Sequence, residues 1–213
     1  MIFDLKNIID IFGNIAGIIH IGAFRGEEIK QYREIGLKNS ILFEPQEHLY
    51  HMFKYQLLPT EQAYNFALGD EEGELDLYIS KTDGGIQNGS GASSSFLKPK
   101  IHLTEHPNVI FDGTIEKCKI KRLDNVVLEN NININEYNLL SIDVQGYELK
   151  VLKGSINTLN SIKYIIAEVN RDEVYEGCPM VNDIDNFLNH FGFKNFYTYW
   201  QSKSWGDALY VKQ

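Results

Sequence analysis

A doubly wound α/β fold around a mostly parallel sheet is what this sequence predicts, and three observations carry it. Short apolar runs rich in Ile, Val, Leu and Tyr alternate with helical patterns along the chain. A strand, a glycine turn and a polar helix start stand together in GIIHIGAFRGEEIKQY, residues 17–32. The chain closes on two strands a short connection apart, which read as a hairpin whose last strand runs antiparallel.

Taken in order, strands are expected near 17–21, 40–44, 62–67, 74–79, 116–121, 138–143, 162–169, 193–199 and 207–212. Helices are expected near 2–12, 26–36, 46–57, 122–130, 147–160 and 182–191. The first helix is amphipathic through Phe3, Ile8, Ile9 and Phe12. The strand–helix alternation implies parallel strands joined by right-handed crossovers, with helices on both faces. One segment breaks the rhythm. SKTDGGIQNGSGASSSFLKPKIHLTEHPN, residues 80–108, is rich in Gly and Ser and has no period. A stretch that long inside a compact domain reads as a lid or binding loop. The whole of 1–213 therefore reads as one domain, with a short N-terminal helix (1–14) and a lid-like insertion over about 80–115.

The 213 residues suffice for one such domain with a sizeable core. A net charge of −9 counts against a nucleic-acid partner. No apolar run approaches the ~18 residues of a membrane span. The N-terminal MIFDLKNIIDIFGN has no basic stretch and carries Asp4 and Asp10, which speaks against a signal peptide. Cys118 and Cys178 form neither a metal-type pair nor a disulfide framework. Together these features suggest a cytoplasmic protein.

The glycine turn restricts the ligand. A dinucleotide fingerprint needs a glycine where backbone approaches the pyrophosphate. Aligned on Gly22, that position is Phe24, and Gly26 falls one residue short of the third glycine. No Gly-Lys-Ser/Thr follows, so a P-loop is also excluded. A ligand without a pyrophosphate still fits. The next strand ends in FEP, placing Glu44 22 positions after Gly22, where an acid can accept a ribose diol. Pro45 then ends the strand. A structural turn and a surface glutamate would explain each feature alone; together they favour a nucleoside.

These residues, taken with others in order, resemble the FkbM-type S-adenosylmethionine-dependent methyltransferases over nearly the whole chain. IIHIGAFRGEE resembles the family's first glycine motif, ILFEPQ its ribose-binding strand, and NFALGDEEGELDLY its third strand and turn. GASSSF resembles the serine motif, KRLDNVV the Leu-Asp helix start, and LLSIDVQGYELKVLKG the most specific motif. IIAEVN and WGDALYVK resemble the later strands. Two positions depart: His20 stands where Asp is frequent, and Gln145 where Asp-x-Glu-Gly is frequent.

The resemblance implies a Rossmann-like, class I methyltransferase fold with a seven-stranded sheet, and S-adenosylmethionine as cofactor. It implies cofactor contacts from Gly22, Ala23, Gly26, Glu44, Asn65, Ala67, Leu68 and Asp143; His20, by type a hydrogen-bonded core group, could also contact the cofactor or the acceptor. Methyl transfer to an oxygen needs a base near the strand ends. Asp143 and Glu168 are the candidates there, with His102 able to join them; the two acids could instead hold a divalent cation. Asp143 could also cap the following helix, and Glu148 suits that helix's first turn. Ser94, Ser95, Phe96, Tyr175 and Trp205 are candidates for binding the acceptor. His106, Ser93 and Trp200 read more simply as loop or packing residues. The reading that follows is O-methylation of a small polyhydroxylated acceptor, a sugar or sugar nucleotide. An RNA ribose methyltransferase and an inactive nucleoside-binding module are the alternatives. The oligomeric state is left open.

Overall fold

The computed structural model describes residues 3–82, 85 and 89–213. Residue 2 of the expected first helix, and residues 83–84 and 86–88 of the expected insertion, lie outside the described residues. The strands are β1 (Gly17–Ile21), β2 (Asn39–Phe43), β3 (Glu61–Tyr64), β4 (Ala67–Leu68), β5 (Gly73–Tyr78), β6 (Lys81–Thr82), β7 (Val109–Ile110), β8 (Ile115–Lys121), β9 (Leu139–Ile142), β10 (Tyr164–Asn170), β11 (Phe193–Trp200) and β12 (Trp205–Lys212). The α-helices are α1 (Leu5–Phe12), α2 (Ile29–Glu34), α3 (Glu47–Phe53), α4 (His102–Glu105), α5 (Leu123–Glu129), α6 (Glu148–Lys153) and α7 (Val181–Asn189).

Seven strands form the main sheet in the order β11-β12-β10-β9-β1-β2-β3. β1 pairs in parallel with β2 and β9, and β10 with β9. Only β12 runs against its neighbours, inserted between β10 and β11. The central strands are buried on both faces, so they read as unbroken apolar runs. Alternate residues still divide between two cores. Ile19, Ile21, Leu140, Ile142, Ile165 and Ala167 pack with Leu123, Val151, Leu152, Ile184 and Leu188 from α5, α6 and α7. Ile18, Leu139 and Ile166 meet Leu5 and Ile8 of α1 and Tyr32 of α2 on the other face. Each fully buried aliphatic side chain contributes roughly 1.5–3 kcal/mol, and this double burial fixes the register.

Two expectations, a strand and a helix, are corrected, and two further strands stand apart from the main sheet. The expected strand 62–67 is two. β3 stays in the main sheet, while β4 leaves it and pairs with β8. The break falls at Asn65, whose amide donates to the Glu44 and Pro45 carbonyls, while Phe66 packs on Phe43. β5 and β8 lie outside the main sheet and form a three-stranded sheet with β4. The expected helix 147–160 ends at Lys153: a Cβ on Gly154 would stand 1.9 Å from the Gly69 carbonyl oxygen, and a short 3₁₀ turn follows at Thr158–Asn160. The insertion also has local order in its described part, where β6 pairs with β7 and α4 begins at His102. Among the described residues no helix is long and apolar enough to cross a membrane.

Candidate active site

Two cavities meet at the C-terminal ends of the central parallel strands, where open α/β sheets place ligands. The first, about 290 Å³, is lined by the ends of β1, β2 and β9 and by the 91–96 segment. The second, about 330 Å³, lies under Trp205 and α4. Ala92, Asp143, Gln145 and Asp207 border both.

The first cavity is built around Glu44. Its carboxyl is 3% exposed and accepts from the backbone N–H of Phe24 (2.8 Å) and of Gln46 (2.9 Å). Burial pushes its pKa up to about 8, against the pull of those two amides. Phe24 takes a left-handed φ of 48°, so the residue that breaks the dinucleotide fingerprint aims its amide at Glu44, not at a pyrophosphate. Gly22 is needed because a Cβ would stand 1.8 Å from the Asp143 carbonyl oxygen, where the turn passes β9. Phe66, Ala67, Leu68, Leu77, Phe96, Ile142 and Val144 give an apolar wall; Glu27, Glu28 and Asp207 give an acidic one.

His20 lines this cavity but faces the α2 side, with its Nδ1 3.0 Å from the Tyr32 hydroxyl. Burial lowers its pKa, opposed by Glu28 and Asp143, so it stands as a neutral ring. Ala23, Gly26 and Asn65 do not line it. The Ala23 amide donates to Phe43, a Cβ on Gly26 would strike Phe53, and Asn65 braces the Glu44 turn from behind. Sequence reasoning gave these three a cofactor contact; the structure gives them the turn that shapes it.

Asp143 lies exposed at the junction. It is not the cap of α6, whose N-cap is Tyr147. Glu148 serves that turn instead: its Oε1 accepts from the Val144 and Gly146 amides, and burial followed by Asp143 raises its pKa to about 7. Gln145, at a left-handed φ of 55°, ties the site together. Its Nε2 donates to Asp143 Oδ1 (2.7 Å) and Glu168 Oε2 (3.0 Å), and its Oε1 accepts from the Tyr175 hydroxyl (2.8 Å). Burial, then the charges of Asp143, Glu148 and Asp207, hold Glu168 far above the usual carboxyl range. Among the described residues no group of three or more His, Cys, Asp or Glu side chains is arranged to hold a metal ion.

The second cavity contains Glu168, His102, His106, Trp205, Ser93 and Gln201. Burial and then His106 lower the His102 pKa to about 4, so its ring is neutral at physiological pH, and its Nδ1 has no partner among the described residues. Ser94 and Phe96 line the first cavity, not the second. Ser95 and Tyr175 line neither. The Ser95 hydroxyl donates to the Gln145 carbonyl (2.7 Å), and Tyr175 also reaches the Ser93 carbonyl (3.0 Å). Both hold the loop against the Gln145 turn and do not contact the cavities. Sequence reasoning missed Gln46, Gly91, Gln201 and Asp207. The Glu168↔Asp207 register of β10 and β12 is the pairing that brings the last of these in.

A domain described as the methyltransferase FkbM domain matches residues 20–194. A 2-O-methyltransferase, NoeI of Sinorhizobium fredii, is 29% identical over 177 residues, covering 82% of this chain and 71% of the relative. Among solved structures, a magnesium protoporphyrin IX methyltransferase from Synechocystis with bound S-adenosylmethionine superposes with a TM-score of 0.53 at 10% identity, over 98% of this chain and 76% of that one. A Listeria monocytogenes structure described as an S-adenosylmethionine-dependent methyltransferase gives 0.51 at 11% identity, over 94% and 92%. Likeness at that identity concerns the fold.

Proposed function

This chain belongs to the FkbM methyltransferase family, and from that premise we propose that it methylates a hydroxyl of a small polyhydroxylated, carbohydrate-type acceptor. It is an S-adenosylmethionine-dependent methyltransferase. The observation that carries the finer reading is the meeting of two unlike cavities at Asp143: one with a nucleoside-type carboxyl, the other with polar walls and a tryptophan.

The first cavity fits the cofactor on its own chemistry. A buried carboxyl that lines it, Glu44, has lone pairs left for a ribose diol. The apolar wall suits adenine, and the acidic wall suits an ammonium and a sulfonium. No lysine or arginine side chain lines it among the described residues, so it does not suit a pyrophosphate. The cofactor, when bound, supplies an electrophilic methyl group on a sulfonium.

The chain's own residues handle the acceptor. Asp143 stands where it borders both cavities and can accept the hydroxyl proton as the oxygen–carbon bond forms. Gln145 fixes the direction of that carboxyl through its 2.7 Å bond. Glu168, kept protonated, donates to an acceptor oxygen instead of competing for its proton. His102, neutral and buried, is the second proton acceptor on the opposite wall. The related NoeI is a 2-O-methyltransferase, which supports oxygen as the atom methylated. The free, buried Cys118 and Cys178 fit a reducing cytoplasm.

The test is transfer of labelled methyl from S-adenosylmethionine to a panel of glycosides and polyols, with Asp143→Asn as the control. Label in a sugar ether lost in that variant supports the reading. Label only in RNA or protein removes it.

A further inference from the structure

The charge of the second cavity is not explained by methyl transfer alone. Asp143, Glu168 and Asp207 all line it. Their side-chain partners are amide nitrogens: Gln145 Nε2 on Asp143 and Glu168, and Gln201 Nε2 on Asp207 at 2.6 Å. Amide hydrogens occupy lone pairs but carry no compensating charge for Asp143 and Asp207, beside which Glu168 stands protonated. Among the described residues, no lysine or arginine side chain lines either cavity, and none pairs with these three carboxyls. Burial first, and this crowding after it, shows in the carboxyls themselves. Glu168 is pushed far up, and burial followed by Asp143 raises Asp207 to about 6.

A second feature is independent of the acids. His102 is 4% exposed, lines the same cavity, and has a buried Nδ1 with no hydrogen-bond partner among the described residues. An unpartnered imidazole on the wall of a cavity points to a ligand that completes its surroundings.

Resting on the methyl-transfer reading, we propose that this cavity takes an amine-bearing acceptor, an unacetylated amino sugar whose ammonium meets the Asp143 and Asp207 carboxyls while Glu168 donates to a ring or hydroxyl oxygen and a neighbouring hydroxyl receives the methyl group. An ammonium has three donors and no acceptor, which suits walls made of acceptors. Trp205 offers an aromatic face to the cation or to the sugar ring. The same walls repel phosphate, so a nucleotide-linked sugar, one of the acceptors the sequence allows, is turned away. The hydroxyl of the amino sugar gives its proton to Asp143 or His102; the amine is a recognition group and is not itself methylated.

The experiment is labelled methyl transfer by the unaltered enzyme to a matched panel: a methyl glucosaminide, its N-acetyl counterpart, the neutral methyl glucoside, a nucleotide-linked N-acetylglucosamine, and a non-sugar aminodiol. The free amine is expected to exceed the N-acetyl and neutral forms at least tenfold in kcat/KM, with no transfer to the nucleotide-linked sugar. In Asp207→Asn that preference narrows, read as the ratio of amine to neutral-sugar kcat/KM at saturating cofactor. Equal or better use of the neutral, acetylated or phosphate-bearing sugars overturns the charge assignment and leaves carbohydrate methylation standing. Transfer to the aminodiol but to no sugar supports the charge assignment and removes the carbohydrate. Transfer to no member of the panel overturns the amine assignment, and cofactor titration then shows separately whether the methyltransferase site is competent.

Discussion

Gln145→Glu is the substitution that most directly tests how the two catalytic-side carboxyls are held. The parent amide donates twice, at 2.7 Å to Asp143 and at 3.0 Å to Glu168. A hydrogen bond to a charged group contributes about 1.5–3 kcal/mol. A carboxyl in that place donates once when protonated and not at all when ionised. Roughly 1.5–3 kcal/mol is therefore lost at low pH and about 3–6 kcal/mol at high pH. The difference corresponds to a pKa raised in the fold by about one to two units. The sign follows from linkage: a carboxyl whose pKa is raised on folding costs nothing below its unfolded value, and destabilises increasingly as pH rises from there to its folded value. For a chain of this size, the melting temperature of the variant should fall about 3–12 °C further below the parent at high pH than at low pH. Thermal melts of both proteins across about pH 4.5–8.5 read this directly, with Gln145→Ala as the control that loses the amide without adding a carboxyl, so that its deficit varies with pH less than that of Gln145→Glu. A Gln145→Glu deficit that does not vary with pH would refute the bridging arrangement.

Glu44→Ala removes the ribose acceptor and leaves the Phe24 and Gln46 amides without partners; cofactor affinity should drop roughly ten- to 150-fold by calorimetry. Asp143→Asn keeps a hydrogen-bonding group at the junction but not a base, so kcat should fall about 10²–10⁴-fold with cofactor affinity changed far less; an equal loss in both would place Asp143 in binding alone. Gly22→Ala drives a Cβ to 1.8 Å from the Asp143 carbonyl oxygen, so this variant should fail to yield a soluble, cooperatively melting protein. The cofactor-free parent carries Glu148, Glu168 and Asp207 with pKa values raised by burial. Above about pH 6.5, where the neutral rings of His20 and His102 add no further stability, its melting temperature should therefore decline as pH rises to about 8; a rise over that window would contradict the burial of these groups.

The central strands were legible because they are buried on both faces: GIIHI and YIIAEVN admit no other reading than apolar runs closed by turns. Gly22 and Glu44 were legible for the same reason, since each sits where such a run must end. What escaped the sequence depends on pairs far apart in the chain. Asp207 reads as a surface acid until β12 is laid against β10, opposite Glu168. Gln46 reads as a helix start until its amide reaches the Gly91 carbonyl, 45 residues away. Tyr175 and Ser95 look like acceptor contacts by type, yet their hydroxyls are engaged by the Gln145 turn and the loop beside it. The split between β3 and β4 was hidden because a side chain, Asn65, ends the strand without a proline or glycine. Gln145 itself was read as a missing charge, and its role as an amide bridge emerges only when both carboxyls flank it.

Calorimetric titration of the protein with S-adenosylmethionine, S-adenosylhomocysteine and NAD in parallel tests the central claim most directly. Glu44 beside a cavity with no lysine or arginine lining should bind the first two and not the third, and the Glu44→Ala variant should lose most of that affinity. Binding of NAD, or no binding of either sulfur-bearing nucleoside to the intact protein, would contradict the assignment of this cavity.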